Sequence, residues 1–440
     1  MSVTAAGPIG SGIQREQLHS SVSDPVLDTM NFLNEVTMRF PDAISFAPGR
    51  PYDGFFEVEE IFTQLRRYLD HLAGLGRSAE EQRAAVFQYG PTAGSIREVI
   101  AESLRVDEGI RADPRSIVVT VGAQEAMVLA LRALISSPDD VLLVSAPCYV
   151  GITGAARLFD VRMATVTEQA DGLRCADVAA AVEAQREAGR RVRVLYVVPD
   201  HSNPLGSTMS LALRRELLDL AGRLDFYILE DSPYRLVSRG PQVPTLKSLD
   251  AARRVVHVGS FSKTLFPGAR VGYAVADQPV DLGDGRSGLL ADELCKIKSM
   301  LTVNTSSLSQ AVVAGMLLAS EGSASRRNDR TSAQYGRSME ITLRELERQF
   351  PAHRRRALGV GWNRPTGGFF LRLSVPFVAG DAALNRSAQH HGVIWTPMSY
   401  FYPDGGGDTG IRLSVSYLSE PEIVDGVARL ARFVDAEMRG

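Results

Sequence analysis

At 440 residues the chain exceeds one ordinary core and has the length of two or three domains. Its hydrophobic (45%) and charged (22%) fractions are those of a globular protein, and a net charge of −3 with a pI of about 6.2 leaves no basic footprint for nucleic acid. Three cysteines (Cys148, Cys175, Cys295), odd in number and without a CxxC pair, argue against a disulfide framework or a zinc site and for a reducing compartment. The first residues, MSVTAAGPIGSGIQREQL, lack the charged and apolar regions of a signal peptide, and no later run reaches 18 apolar residues. A cytoplasmic protein acting on small molecules, with no membrane or nucleic-acid partner, is expected.

Residues 1–23 read as a flexible tail, Gly/Ser/Ala-rich at its start and without periodicity. From Asp24 to Phe40 the apolar residues fit a helix, capped by Ser23 or Asp24 with Pro25 in its first turn. ISFAPGRPYDGFF (44–56) is irregular, with Gly49 and Pro51 marking a turn and aromatic residues that hint at a pocket wall. Two helical stretches in 57–105 flank FQYGPTAGSIREVI, where Ser95 and Glu98 spell a capping box for a helix from Ile96.

From residue 115, seven β-branched runs (Ile117–Val121, Val141–Ser145, Val161–Val166, Val192–Val198, Phe226–Glu230, Val255–Val258, Val271–Ala276) alternate with helical periods. This is the pattern of an α/β domain with a mostly parallel seven-stranded sheet, whose ligands sit at the carboxyl ends of the strands. Past about 305 the pattern becomes helix, long charged helix, short strands and a last helix from Ser419, a smaller α+β domain. The expected division is a tail at 1–23, a segment at 24–80 contributing to the small domain and pocket, a large domain at 81–305 and a small domain at 306–440.

Within this frame the stretch Val255–Tyr273, VVHVGSFSKTLFPGARVGY, is the chemical centre. Only four of the 48 basic residues are lysines (Lys247, Lys263, Lys296, Lys298). Arginine supplies charge almost everywhere else, but it cannot lose its proton and attack a carbonyl carbon, whereas a desolvated lysine can. Lys263 is the candidate nucleophile, with Ser260, Ser262 and Arg270 beside it. Four other features follow strands. Gly122-Ala123-Gln124 opens a helix whose unpaired N–H groups make an anion site. Tyr149 presents an aromatic face just past a strand. Asn203-Pro204 turns the chain after VVPDHS. Glu230-Asp231 ends an apolar strand, with Tyr234 three residues on, and a carboxylate there needs a cationic partner.

A cofactor with a phosphate, an aromatic ring, a basic ring nitrogen and an aldehyde would use all five features, and pyridoxal 5′-phosphate has these groups. In this order the residues resemble the fold type I, aspartate-aminotransferase-like family, and in particular its 2-aminoadipate-aminotransferase-like branch, from about residue 24 to the end. The resemblance implies that Lys263 holds the cofactor as an imine and later moves the substrate proton, that Tyr149 stacks on the ring, and that Asn203 and Tyr234 bond its hydroxyl. It implies that Asp231 keeps the ring nitrogen protonated, and that Gly122, Ala123, Gln124, Ser260, Ser262 and Arg270 hold the phosphate. Tyr89 would reach the cofactor of a neighbouring subunit, which implies a homodimer with shared sites. Arg412, in GIRLSVSY, would take the substrate carboxylate, with Gly49 and Asn203 beside it. DHSNPLG departs from the family's usual aromatic-rich loop, which affects loop shape and leaves the Asn-Pro pair intact.

The activity implied is ping-pong exchange of an amino group between an L-amino acid and a 2-oxo acid. Aromatic residues on both expected walls (Phe46, Tyr52, Phe55, Phe56; Tyr400, Phe401, Tyr402) favour an aromatic side chain, and SDPVLDTMNFLNEV and SFAPGRP resemble the transaminases that make arylglycines for peptide antibiotics. The alternatives are a different pyridoxal-phosphate outcome (cyclisation, elimination or oxidation of an arginine-like amino acid) and an aminotransferase for 2-aminoadipate or another aliphatic substrate. A DNA-binding regulator with an aminotransferase-like domain is disfavoured, because about 23 residues before the first helix leave no room for the DNA-binding part. No metal is expected: His390-His391 has no third ligand nearby, and Gly405, Gly407 and Gly410 spell GxGxxG ahead of a strand with no helix after it.

Overall fold

The computed structural model describes residues 13–168 and 172–439. All seven expected strands form one sheet: β1 (Ile117–Thr120), β2 (Asp140–Ala146), β3 (Arg162–Thr167), β4 (Arg191–Val197), β5 (Tyr227–Asp231), β6 (Val255–Ser260) and β7 (Gly272–Val275). Their order is β1-β7-β6-β5-β4-β2-β3, parallel except for β7, which runs antiparallel to both neighbours. The central strands are apolar almost throughout because both faces are covered by helices. Alternate residues pack to opposite sides: Leu142, Val144 and Val256 meet helix Gly122–Leu134, while Val141, Leu143 and Val255 meet helices Cys175–Glu187 and Leu211–Leu224.

The smaller unit has a four-stranded antiparallel sheet, with Phe370–Ser374 beside Gly410–Ser414, and a core around Trp395, Phe350 and Phe433. Helix Pro25–Arg39 joins that core through Leu33 and Val36, and Ile44–Ser45 adds a short parallel strand to Val393–Ile394. Two expectations about its bounds differ from the packing. Helix Ser307–Ala319, read with the small domain, is buried with Ile117, Val119 and Val271 of the large sheet, and helix Val58–Gly74 also packs on that side. An apolar periodicity shows which helix face is buried, but not which sheet it meets. Of the expected tail, residues 1–12 lie outside the described range, while Arg15–Gln17 and Ser20–Ser23 form short turns and His19 bonds Asp160 at 3.1 Å.

Ser95 does not cap the following helix, which starts at Arg97. Its N–H and hydroxyl both donate to Gln310 Oε1, at 2.9 and 3.3 Å, so a tertiary partner displaces the local cap. The His390-His391 pair closes a short helical turn at Ser387–His391, and among the described residues no cluster of His, Cys, Asp or Glu could hold a metal ion. No helix among them is long and apolar enough to cross a membrane.

Candidate active site

The carboxyl ends of β1, β2, β4, β5 and β6 open on a cavity of about 330 Å³ between the large sheet and the small unit. Lys263, Asp231, Tyr149, Asn203, Tyr234 and Arg412 all line it, as do Ala123, Gln124, Ser260, Ser262, Arg270 and Gly49. The residues from Gly122 to Arg270 converge because the parallel strands end on the same edge of the large sheet, and Gly49 and Arg412 come from outside that sheet, Arg412 from strand Gly410–Ser414 of the small unit.

Lys263 follows β6, and its Nζ donates to the Gly49 carbonyl at 2.8 Å. Burial, then the fields of Arg270 and Arg412, lower its ammonium pKa to about 8, so the free amine is accessible near neutral pH. Asp231 is 2% exposed at the end of β5. Its Oδ2 accepts from the Tyr196 hydroxyl at 2.7 Å, and its Oδ1 is buried without a partner. Burial pushes its pKa up to about 6 against that hydrogen bond.

Among the described residues, the neighbouring carboxylate meets its cationic partner within the chain. Glu230 points to the other face of β5, where it accepts from the N–H groups of Leu246 and Lys247 and pairs with His257 Nδ1 at 2.9 Å. Adjacent residues on a strand face opposite ways, so one pair of carboxylates meets two different environments.

Gly122 starts its helix at φ +72°, and a Cβ there would stand 2.5 Å from Arg270 Nη2. The missing side chain lets the guanidinium lie against the helix start. Arg270 Nη1 donates to Ser262 Oγ at 3.0 Å, and Ser262 N–H donates to Ser260 Oγ at 3.2 Å. A glycine N-terminus, two hydroxyls and a guanidinium thus surround one corner of the cavity. Gln124 turns its amide to the Gly151 carbonyl (2.8 Å), tying this helix to the one that Tyr149 precedes.

Arg412 is 6% exposed, with Nη1 on Asn203 Oδ1 at 2.8 Å and Nη2 on the Ala47 carbonyl at 2.6 Å and Thr396 Oγ1 at 3.1 Å. Its Nε is buried without a partner, and among the described residues it meets no carboxylate. Burial lowers its pKa to about 10, a sign of how poorly solvated this cation is. The Tyr234 ring, on the same cavity lining as Asn203, packs edge-on against Phe369 and Phe370.

The aromatic wall expected from 46–56 is elsewhere. Phe46 is fully buried in the small core, Tyr52 and Phe55 pack on each other, Phe56 faces outward, and Tyr402 lies against Gly406 and Gly407. Only Tyr400 and Phe401 of the named aromatics line the cavity. Helix Pro25–Arg39 also lines the cavity, through Leu33, Asn34 and Thr37, in keeping with the expectation that 24–80 contributes to the pocket, although those three residues were not singled out by any local pattern. Tyr196, the donor to Asp231, was likewise read as an ordinary strand residue. Tyr89 is 85% exposed beyond helix Ala79–Phe87 and does not line the cavity of its own chain.

This fold and this site define a pyridoxal-phosphate-dependent transferase of fold type I. The chain belongs to the family "Aminotransferase class I and II", whose model matches residues 52–430. It is 46% identical over 436 residues to an (S)-3,5-dihydroxyphenylglycine transaminase of Amycolatopsis orientalis, covering 98% of this chain and 97% of that one. A 2-aminoadipate transaminase of Thermus thermophilus is 32% identical over 92% of this chain and 93% of its own length. Among solved structures, a kynurenine aminotransferase of Pyrococcus horikoshii superposes with a TM-score of 0.79 at 28% identity, covering 94% of this chain and 95% of that one.

Proposed function

We propose that the protein transfers the amino group of an aromatic, arylglycine-type L-amino acid to a 2-oxo acid, with Lys263, Asp231 and Arg412 as the residues that act on cofactor and substrate. The observation that carries this reading is a single cavity holding a half-buried lysine of lowered pKa, a half-unpartnered buried carboxylate and a buried guanidinium that meets no carboxylate.

The fit to the cofactor rests on the same atoms. Asp231 Oδ1, buried and unpartnered, suits a protonated ring nitrogen, and the corner formed by Gly122, Ser260, Ser262 and Arg270 suits a phosphate. Tyr149 offers a ring face, and Asn203 and Tyr234 offer polar atoms to the same cavity. When bound, pyridoxal phosphate supplies an aldehyde for covalent attachment and an electron-withdrawing ring that acidifies the substrate's α-hydrogen.

Arg412 holds the substrate α-carboxylate through its two terminal nitrogens, orienting the α-carbon toward Lys263. With the cofactor bound, the Lys263 amine would be the base that takes the substrate's α-proton and the acid that gives it back. Asp231 would hold the ring nitrogen as its counter-charge, and Tyr196 keeps the carboxylate in place. Leu33, Tyr400 and Phe401 form an apolar cover over the side-chain region, and Asn34 and Thr37 supply neutral hydrogen-bonding groups, a combination that suits a hydroxylated aryl group.

The working unit we propose is a homodimer, with Tyr89 entering the partner's site. Phe62, Phe87, Tyr89 and Leu308 stand exposed on or next to helices Val58–Gly74, Ala79–Phe87 and Ser307–Ala319, which pack on one another, and a second copy would cover this apolar surface. Three free cysteines suit a reducing cytoplasm. An amino-donor screen tests the reading: the purified holoenzyme, mixed with arylglycines, phenylalanine, 2-aminoadipate or alanine in single turnover, should form the aminated cofactor fastest with an arylglycine. Release of ammonia or a cyclic product without the aminated cofactor would overturn it.

A further inference from the structure

One charged group lining the cavity has no part in the chemistry above. Arg50 is an exposed residue whose guanidinium carbon lies 3.5 Å from the centroid of the Tyr417 ring. Among the described residues no carboxylate lies within ion-pair distance of it, although many of the other arginines are paired. Stacking on a ring fixes the plane of a guanidinium while leaving its N–H edges available.

The backbone puts Arg50 in a definite relation to the reacting groups. Three carbonyls of one short segment are held in succession: Ala47 by Arg412 Nη2 (2.6 Å), Gly49 by Lys263 Nζ (2.8 Å) and Arg50 by Ser416 Oγ (2.6 Å). The segment therefore passes from the buried arginine, past the lysine, to Arg50, within about 10 Å of chain. A bound amino acid follows the same sequence, from α-carboxylate through α-carbon to side chain.

Amino transfer also needs two different partners to occupy this cavity in turn. The cover of Leu33, Tyr400 and Phe401 suits an aryl group and offers nothing to a second carboxylate. We propose that Arg50 is the specificity residue for an acidic second partner, pairing with the side-chain carboxylate of a dicarboxylic amino acid or 2-oxo acid whose α-carboxylate lies on Arg412. The inference rests on the aminotransferase reading of the site and names the chemical class of its co-substrate.

The test compares holoenzyme of wild type, Arg50→Gln and Arg50→Lys. Single half-reactions with glutamate and with phenylglycine are followed by the cofactor's absorbance, and binding of glutarate and of phenylacetate is measured by calorimetry. In Arg50→Gln the glutamate-to-phenylglycine ratio of rate constants should fall about 10- to 100-fold, the range for losing a charge-assisted hydrogen bond, and glutarate should weaken against phenylacetate by a similar factor. Arg50→Lys should recover part of both, and added salt should shrink the wild-type preference because the pair is exposed. A ratio within twofold of wild type, or an equal loss for both substrates, would overturn the proposal. Wild-type enzyme that converts phenylglycine and ignores glutamate overturns this inference alone. Wild-type enzyme whose cofactor responds to no amino acid overturns the aminotransferase reading and this inference with it.

Discussion

Replacing Asp231 by asparagine should stabilise the cofactor-free protein while disabling the enzyme. Burial raises the Asp231 pKa from 3.8 to about 6, so keeping it ionised in the folded chain carries a free-energy cost. The folded state binds this proton more tightly than the unfolded state does. Stability is therefore fully favoured below pH 3.8 and lost as pH rises from there through about 6, after which the loss is constant. A shift of this size corresponds to about 3 kcal/mol at neutral pH, as an upper estimate. Asparagine keeps an acceptor for the Tyr196 hydroxyl and carries no charge. Urea titrations of both cofactor-free proteins should show the asparagine variant with a higher midpoint at pH 7.5, by up to about 1 M, and a gap that narrows toward pH 4.5. Cofactor affinity and turnover should both fall in the variant. Equal midpoints at pH 7.5, or a gap that does not narrow in acid, would refute the claim that Asp231 is an unpaired buried charge awaiting a cation.

Four further outcomes follow from the cavity. The rate at which cofactor-free protein captures pyridoxal phosphate should rise with pH through about 8 and level off above it, because only the neutral Lys263 amine attacks; stopped-flow absorbance would show instead a midpoint near 10.5 if the lysine were solvated. Lys263→Ala should lose turnover by at least about 10³-fold, since it removes both attachment and proton transfer, and restoration of activity by an exogenous alkylamine would separate those two roles. Arg412→Gln should raise the KM for amino acids about 10- to 100-fold, as measured by half-reaction kinetics. Gly122→Ala should weaken cofactor binding, because its Cβ would meet Arg270 Nη2 at 2.5 Å and the backbone would stay at φ +72°; equilibrium dialysis would detect the expected loss of about 1–3 kcal/mol.

Much of the large sheet was legible because each of its strands is a short apolar run set between helical periods, and parallel order follows from that alternation. The same reasoning singled out Lys263, Asp231, Asn203, Tyr149 and the Gly122 helix start, since each lies at or after a strand end, where polar residues interrupt an apolar run for no packing reason. Arg412 was legible through the GIRLSVSY resemblance, and in the structure it joins these residues on the cavity lining.

What the sequence determined by itself was thus the list of strand ends and the chemistry carried on them, because both are written in local pattern and residue type. Only the tertiary structure decided which of two adjacent carboxylates pairs with His257 and which keeps a bare oxygen, because a one-residue step along β5 changes the face and hence the whole environment. It also decided the side-chain wall. Phe46 and Tyr52 carry the same apolar signal whether they pack inside the small core or line a pocket, while Leu33, Asn34 and Thr37 look like one more helix until the chain folds it across the cavity. Long-range closure sets these contacts, and no local period records it.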